Sequence, residues 1–300
     1  MKNNILLLSI FLIIIFLGSF CFLKTETFSK DNAFSFVNEN TKIFKPYLIK
    51  TTIPDIQANI ASSVLLNEDK KIILYEKNIE EKTAIASLTK LMTAVVVMDN
   101  YPLDSKIVVD EEMLTAWGTA GGLILNEHVT IKDLLYILLI ESSNDAAECL
   151  ASKLDRNNFM ILMNEKAKKL KMRNTHFVNP SGLDEDNGTY NTSSAKDLTI
   201  LVSEIIKTYP TIKDVLSKTE YTVISEEGIR HKLSTTNALL KEIPYETWGK
   251  TGYTEIANGC LILMTKNSNN DTIINIIINS NDRFGEMKTL TNWTVTSFSY

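Results

Sequence analysis

Three short segments of the sequence combine residue types that could perform acyl transfer. In the first, Ser87 lies three residues before Lys90, within an apolar stretch that continues to Met98. Side chains at positions i and i+3 share one face of a helix, so we expect the hydroxyl and the amine to be neighbours. A lysine buried among apolar residues must find partners or lose its proton. A desolvated lysine beside a hydroxyl can activate that hydroxyl as a nucleophile.

The position of Ser87 favours the same interpretation. The pattern predicts a helix that begins near Ser87, where free backbone N–H groups and the helix dipole stabilise developing negative charge. For a single match, a lysine that extends to the surface is the alternative. The same spacing recurs at Ser193 and Lys196 in a polar stretch, and we interpret this second match as coincidence.

The second segment lies at the junction of two predicted helices. Asp145, followed three residues later by Glu148, would cap the second of these helices. That capping arrangement leaves Ser142 and Asn144 as polar groups at an apolar junction, where they need hydrogen-bond partners. Lys90 is a candidate partner.

The third segment, Lys250, Thr251, Gly252 and Tyr253, precedes a predicted hairpin. Lys250 and Thr251 can bind a carboxylate, and a glycine lets the backbone of a ligand approach closely. Alone, such a segment is more often the start of an edge strand with a solvated lysine. The three segments together, in this order, are typical of β-lactamases and penicillin-binding proteins.

On these motifs the chain resembles the serine D-alanyl-D-alanine carboxypeptidases, which are low-molecular-mass penicillin-binding proteins, from about residue 61 to residue 298. The resemblance implies that Ser87 attacks the carbonyl of the penultimate D-Ala in a peptidoglycan stem peptide and releases the terminal D-Ala. It also implies that β-lactams are covalent inhibitors. The matching stretches are residues 86–93, 142–146, 174–184 and 249–254.

The resemblance further implies roles for the other polar residues. Lys90 would be the base, Ser142 would relay a proton, and Asn144 would hold Lys90 or the substrate amide. The backbone N–H groups of Ser87 and Tyr253 would form the oxyanion hole. We expect no metal or cofactor to take part.

The resemblance assigns substrate binding to the segment around Lys250. Lys250 and Thr251 would bind the terminal carboxylate, and the substrate would pair with this strand as an added strand, close to Gly252. The tract 188–194 departs from the family pattern, which is expected to alter the rim of the cleft.

Composition excludes several other classes of protein. The 300 residues are 44% hydrophobic with a formal net charge of −5, so nucleic acid is not an expected partner, because phosphate binding requires clustered Lys and Arg. Three cysteines and three histidines at wide spacing predict neither a disulfide framework nor a zinc site.

The N-terminus predicts export. Residues 5–23 are an apolar run that would form a helix about 28 Å long, close to the thickness of a bilayer. The apolar core of a signal peptide is usually shorter, and Phe20 and Phe22 lie where a cleavage site needs small residues. We expect residues 1–24 to be a membrane anchor, with a cleaved signal as the alternative. The catalytic domain would lie on the extracytoplasmic face, or be secreted if the segment is cleaved.

The remaining chain predicts a spacer over residues 25–57 and a D,D-peptidase catalytic domain over residues 58–300. Strand patterns at 61–75 and 259–279 enclose a long helical block, and a terminal helix is expected at 285–298. The predicted fold is therefore α+β, an antiparallel sheet flanked by helices with an inserted helical lobe, of the β-lactamase/D,D-peptidase type.

Three alternatives to a carboxypeptidase remain at this point. A D,D-endopeptidase that cleaves peptidoglycan cross-links shares all three motifs. A β-lactamase is disfavoured, because Ser143 stands where Asp is usual and no Glu-x-x-Leu-Asn segment supplies a deacylating base. An inert peptidoglycan-binding relative is disfavoured by Lys90, since a binder has no use for a buried lysine beside a hydroxyl.

Overall fold

Residues 46–49, 52–67, 70–114 and 121–299 are described by the structure, a computed structural model. The strands, numbered in chain order, are β1 (Tyr47–Leu48), β2 (Ile60–Asn67), β3 (Lys70–Lys77), β4 (Thr83–Ala84), β5 (Lys106–Val108), β6 (His128–Thr130), β7 (Thr192–Ser193), β8 (Glu220–Ile224), β9 (Arg230–Ser234), β10 (Thr247–Thr254), β11 (Asn258–Lys266), β12 (Thr272–Ser280) and β13 (Phe298–Ser299).

The helices are α1 (Lys90–Asn100), α2 (Ile131–Ile140), α3 (Asn144–Ser152), α4 (Arg156–Lys169), α5 (Ala195–Thr208), α6 (Pro210–Leu216), α7 (Leu239–Glu242) and α8 (Arg283–Ser297). Two 3₁₀ turns are present as well, Ala86–Thr89 and Glu112–Leu114.

Five strands form one antiparallel sheet in the order β10-β11-β12-β2-β3. Both predicted hairpins are confirmed, β2 with β3 and β11 with β12. The two hairpins come from opposite ends of the domain and join where β12 pairs with β2, with Ile276 opposite Ser62. The α+β fold and its sheet of distant segments are confirmed, and β10 is left at the outer edge.

Alternation along the strands explains why both faces of this sheet are covered. Successive side chains of a strand point to opposite faces. On one face Leu261 and Leu263 pack with Met287 and Leu290 of α8, the terminal helix that the sequence predicts. On the other face, Ile262, Met264, Ile274 and Ile276 pack into the core of the helical lobe.

The helical lobe, inserted between β3 and β10, is built around α1. Its residues from Lys90 to Val97 are all buried, and α1 contacts α2, α3, α4 and α5. A helix that is apolar all round is stable only inside a core, which is the position it occupies here. Cys149 and Cys260 are buried free thiols, whereas Cys21 lies outside the described residues.

One hairpin of the lobe was not predicted. Strands β8 and β9 pair antiparallel, with Val223 opposite His231, and pack against α2. The buried side chains of these strands alternate with exposed charged residues such as Arg230 and Lys232. Only a few apolar residues therefore mark the two strands in the sequence. The period of two is nevertheless the one expected for a half-buried hairpin.

The described residues before position 58 belong to the folded domain. β1 pairs with β13, the buried Ile56 joins the core beneath α8, and Trp293 Nε1 donates a hydrogen bond to Thr52 O at 2.8 Å. The described residues from Pro46 onward, including those within the predicted spacer, therefore form one compact unit with the domain. The apolar run at residues 5–23 lies outside the described residues. Within the described part, no helix is long and apolar enough to cross a membrane.

Candidate active site

Ser87 lies in the 3₁₀ turn that leads into α1, and this turn packs against β10. Ala86 adopts a φ of 46°, in the left-handed region that non-glycine residues seldom occupy. Such strained backbone persists where the surroundings fix it, often at functional sites. The half-buried Ser87 is thereby presented at the boundary between the lobe and the sheet.

Lys90 is completely buried and forms three hydrogen bonds through Nζ. The partners are Ser87 Oγ at 2.9 Å, Asn144 Oδ1 at 2.7 Å and the backbone carbonyl of Ser181 at 2.6 Å. Two of these partners can only accept a hydrogen bond, whereas the hydroxyl can also donate one. An ammonium group satisfies all three by donating, whereas a neutral amine, with two N–H groups and one lone pair, satisfies them by accepting from Ser87 Oγ instead.

The electrostatics of the site favour that neutral amine. Burial lowers the pKa of Lys90 well below its ordinary value, the positive charge of Lys250 lowers it further, and Glu148 opposes both. Desolvation disfavours the charged form of a lysine, and a second cation nearby does the same. Lys90 is therefore suited to take the proton of Ser87 Oγ.

Ser142 and Asn144 reach different lysines. Asn144 accepts from Lys90, while Ser142, at a φ of 63°, accepts from Lys250 Nζ at 2.7 Å. The predicted cap at Asp145 is wrong. Ser143 caps α3 instead, because its Oγ accepts from the N–H of Ala146 at 3.1 Å.

The segment Lys250 to Tyr253 lies on the edge strand β10. Lys250 is buried, and burial with the nearby Arg283 charge lowers its pKa to about 7. A side chain at Gly252 would begin 3.1 Å from the backbone nitrogen of Ser87, so the strand and the nucleophile turn are in direct contact. Tyr253 is 61% exposed, and its backbone follows that contact point.

All eight predicted site residues therefore lie in neighbouring segments, namely the 3₁₀ turn with the first residue of α1, the start of α3, and β10, which the contacts above join. Thr251 Oγ1 lies 2.5 Å from Thr236 Oγ1, a neighbour that the sequence reasoning missed. Arg283 was missed as well: its Nη1 donates to the carbonyl of Gly252 at 3.3 Å. Neither residue type marks a functional site by itself: Arg283 is a single arginine after a strand, and Thr236 lies in a polar stretch.

The Ser181 carbonyl was also missed, because a backbone acceptor leaves no trace in residue type. It belongs to the loop 179–185, which presses against the nucleophile turn. Gly182 has a φ of 88°, and a Cβ there would lie 2.0 Å from the carbonyl oxygen of Ala86. Only glycine fits such a position.

Replacing Gly182 with alanine is expected to lower the free energy of unfolding by at least about 2 kcal/mol, because strain and a backbone clash add. Gly188 is the matched control: it has a similar φ of 79° but open space around it. Gly188→Ala should cost only about 1 kcal/mol. Urea unfolding of both variants measures the difference, and equal losses would contradict the close approach at Gly182.

Solved structures give the class of this protein. Penicillin-binding protein D2 of Listeria monocytogenes, in its cefotaxime-bound form, aligns at a TM-score of 0.70 with 33% identity, over 80% of this chain and 98% of that one. A D-alanyl-D-alanine carboxypeptidase of Mycobacterium tuberculosis aligns at 0.75 with 25% identity, over 84% and 95%. The fold is that of the penicillin-binding D,D-peptidases.

Sequence comparisons narrow the class to a family. The D-alanyl-D-alanine carboxypeptidase family matches residues 49–282, so the chain belongs to that family. The carboxypeptidase DacF of Bacillus subtilis is 35% identical over 69% of this chain, which spans about half (54%) of that relative. A D-alanyl-D-alanine endopeptidase of Escherichia coli is 34% identical over 78% of this chain and 74% of its own length.

Proposed function

We propose that this protein is a serine D,D-carboxypeptidase that removes the terminal D-Ala from peptidoglycan stem peptides through an acyl-enzyme on Ser87. The observation that carries the proposal is the Ser87–Lys90 pair, 2.9 Å apart, in which the lysine is buried and its other two partners are carbonyl oxygens. Release of D-Ala from a stem pentapeptide by the purified protein tests it, and absence of release would reject it.

In the proposed acylation, Lys90 Nζ takes the proton of Ser87 Oγ through its lone pair. The oxygen then forms a bond to the carbonyl carbon of the penultimate D-Ala, and negative charge develops on the carbonyl oxygen. The backbone N–H groups of Ser87 and Tyr253 would stabilise that charge, a contribution of several kcal/mol when donors are pre-organised. The contact between Gly252 and the Ser87 nitrogen supports this pairing of donors.

Collapse of the intermediate breaks the peptide bond, and the leaving nitrogen of D-Ala takes the proton from Lys90. Ser142, whose Oγ accepts a hydrogen bond from Lys250 Nζ, would relay that proton. Water then attacks the ester carbon and gives its proton to Lys90. The bond to Ser87 Oγ breaks, and the serine oxygen recovers that proton from Lys90.

Carboxylate recognition is assigned to Lys250 and Thr251. Lys250 Nζ already donates to Ser142 Oγ and to the carbonyl of Thr251, and Arg283 adds positive charge nearby. A substrate carboxylate would supply a negative charge, which neither of these described partners of Lys250 carries. A free C-terminal carboxylate is the feature that a carboxypeptidase must recognise.

An endopeptidase that cleaves cross-links is the second candidate. Two relatives named as endopeptidases match over 74% of their own lengths, more than the 54% of DacF. A cross-linked dimer of stem peptides separates the two functions. Release of D-Ala from pentapeptide without cleavage of the dimer supports the carboxypeptidase, and the reverse supports the endopeptidase.

β-Lactams are proposed as covalent inhibitors on the same grounds. Penicillin-binding protein D2 of Listeria monocytogenes, 34% identical in its ampicillin-bound form, has 98% of its length aligned to this chain. We also propose that residues 1–24 anchor the chain in the cell membrane with the catalytic domain outside. Fractionation of cells followed by N-terminal sequencing tests both anchoring and cleavage.

The rate of D-Ala release is expected to fall as the pH rises above about 7. The pKa of Lys250 is lowered to about 7, so its ammonium group is present below that pH and is lost above it. Loss of the charge removes the attraction to the substrate carboxylate. The measurement is kcat/KM for pentapeptide hydrolysis between pH 5 and 9.

Lys250→Arg keeps its charge throughout this range, because the guanidinium stays protonated. The decline above pH 7 should therefore be missing in this variant, even if its overall rate is lower. The same decline in both proteins would show that another group controls the alkaline limb.

A further inference from the structure

Asn191 is a buried carboxamide outside the three motifs, and it connects two parts of the site. Its Oδ1 accepts from the backbone N–H groups of Val178 at 2.6 Å and Asn179 at 3.2 Å. Its Nδ2 donates to Thr89 Oγ1 at 3.0 Å and to the carbonyl of Asn179 at 2.9 Å. Thr89 lies in the nucleophile turn, directly before Lys90.

Asn179 in turn organises the loop 179–185. Its Oδ1 accepts from the N–H of Gly182 at 2.7 Å, and its Nδ2 donates to the carbonyl of Leu183 at 2.8 Å and to Glu185 Oε1 at 2.7 Å. Asn179 is 1% exposed, as is Asn191. The loop that carries the Ser181 carbonyl is therefore built around one carboxamide and tied to the nucleophile turn by another.

We propose that Asn191 is a positioning residue, which holds the Ser181 carbonyl at bonding distance from Lys90 Nζ and closes the lysine off from water. The inference rests on the proposed function, since it concerns the base of that reaction. Buried polar groups that satisfy one another in this way act as a unit, so loss of one member disturbs the others.

The consequence for Lys90 has a definite sign. Burial is the largest cause of its lowered pKa, and the charges that reach it are Lys250 on β10 and Glu148 on α3, the latter paired with Arg156 of α4. If the loop moves away, Lys90 loses one carbonyl but gains water, which solvates an ammonium group better. The pKa of Lys90 then rises, and the ammonium form persists to higher pH.

Asn191→Ala and Thr89→Val are the test variants, because Thr89→Val removes only the hydroxyl that Asn191 contacts. The measurement is the rate of acylation by a chromogenic penicillin as a function of pH. On the acidic side of the profile, the rate falls as Lys90 becomes protonated. We expect the pH of this fall, the acidic limb, to rise by about one unit in both variants. At pH values below the limb, each variant should then react about tenfold more slowly than the unmodified protein. At high pH, where Lys90 is neutral in every variant, the rates should converge on that of the unmodified protein.

Asn164→Ala is the matched control. Asn164 also binds the backbone just before this loop: its Oδ1 accepts from the N–H of Phe177 at 3.0 Å, and its Nδ2 donates to the carbonyl of Phe177 at 2.8 Å. Its other described hydrogen bond goes to the carbonyl of Met160 in its own helix, not to the nucleophile turn. Its pH profile should be unchanged. A uniform loss of rate at all pH values, an unshifted limb in both test variants, or an equal shift in Asn164→Ala would each overturn the inference.

Two further outcomes are separated by this design. If Asn191→Ala fails to fold, Thr89→Val carries the test, since it removes one hydroxyl and conserves the shape of the side chain. If the unmodified protein is not acylated at any pH, the proposed function fails, and with it the role of Asn191. Acylation of the unmodified protein with unshifted variants rejects the positioning role alone.

Discussion

Replacing Ser87 with alanine is expected to abolish release of D-Ala, a loss of at least about 10³-fold, because it removes the hydroxyl that forms the proposed acyl-enzyme. The fold should persist, since Lys90 keeps its bonds to Asn144 and to the Ser181 carbonyl. The measurement is D-Ala release from a stem pentapeptide, together with a thermal melt of the variant.

Ser193→Ala is the control for this change, because Ser193 begins the second serine–lysine match in the sequence. Its hydroxyl bonds to Thr175 at 2.7 Å, and Lys196 is exposed and pairs with Glu80. D-Ala release should be unchanged in this variant. Residual activity in Ser87→Ala, or a comparable loss in Ser193→Ala, would contradict the assignment of the nucleophile.

Replacing Lys90 with methionine is expected to slow acylation by about 10²- to 10⁴-fold, the usual contribution of a general base. Methionine conserves the length and most of the volume of the side chain, so that the change removes the amine rather than the packing. The change leaves two buried carbonyl oxygens without a hydrogen-bond donor, which lowers the stability of the fold by about 1–3 kcal/mol for each oxygen. It also removes a buried group that can carry a charge, which offsets part of that loss. The measurement is the rate of acylation by a fluorescent penicillin.

Lys196→Met is the matched control for the lysine, with the same spacing from a serine but an exposed side chain. It should be acylated at the rate of the unmodified protein. If Lys90→Met were acylated at that rate too, Ser87 would need a different base, and the mechanism proposed here would fail.

Much of the fold was predictable because its signals are local and periodic. The hairpins β2–β3 and β11–β12 and the helix α8 are continuous stretches with one clear pattern. The position of Lys90 was predictable for a different reason. A helix that is apolar on all its faces is expected to be buried, so a lysine within it is expected to be buried as well. The i, i+3 spacing then places this lysine beside Ser87.

What the sequence could not give was the set of partners that come from distant backbone. The Ser181 carbonyl binds Lys90 from 91 positions away, and it carries no side-chain signature. The sequence also did not show which lysine each of Ser142 and Asn144 contacts. Both residues lie at one helix junction, but Ser142 bonds to Lys250 and Asn144 bonds to Lys90. The positive φ of Ala86 belongs to the same category, because tertiary contacts impose it.

The cap of α3 shows how a plausible local rule can fail. Asp145 and Glu148 match a capping pattern, but Ser143, two residues before Asp145, takes the cap position. Ser142, directly before it, has a left-handed backbone conformation that turns the chain there. Asp145 is buried in the first turn, and desolvation raises its pKa to about 6. The preference of Asp145 for the N-cap position is therefore outweighed by the backbone turn at Ser142.

The most direct measurement is the intact mass of residues 46–300 before and after incubation with penicillin, followed by peptide mapping. The proposed mechanism predicts one covalent adduct, with the mass of one penicillin, on the peptide that carries Ser87. A folded protein that gains no mass, or that gains it at another residue, would contradict the central claim that Ser87 and Lys90 form a working acylation site.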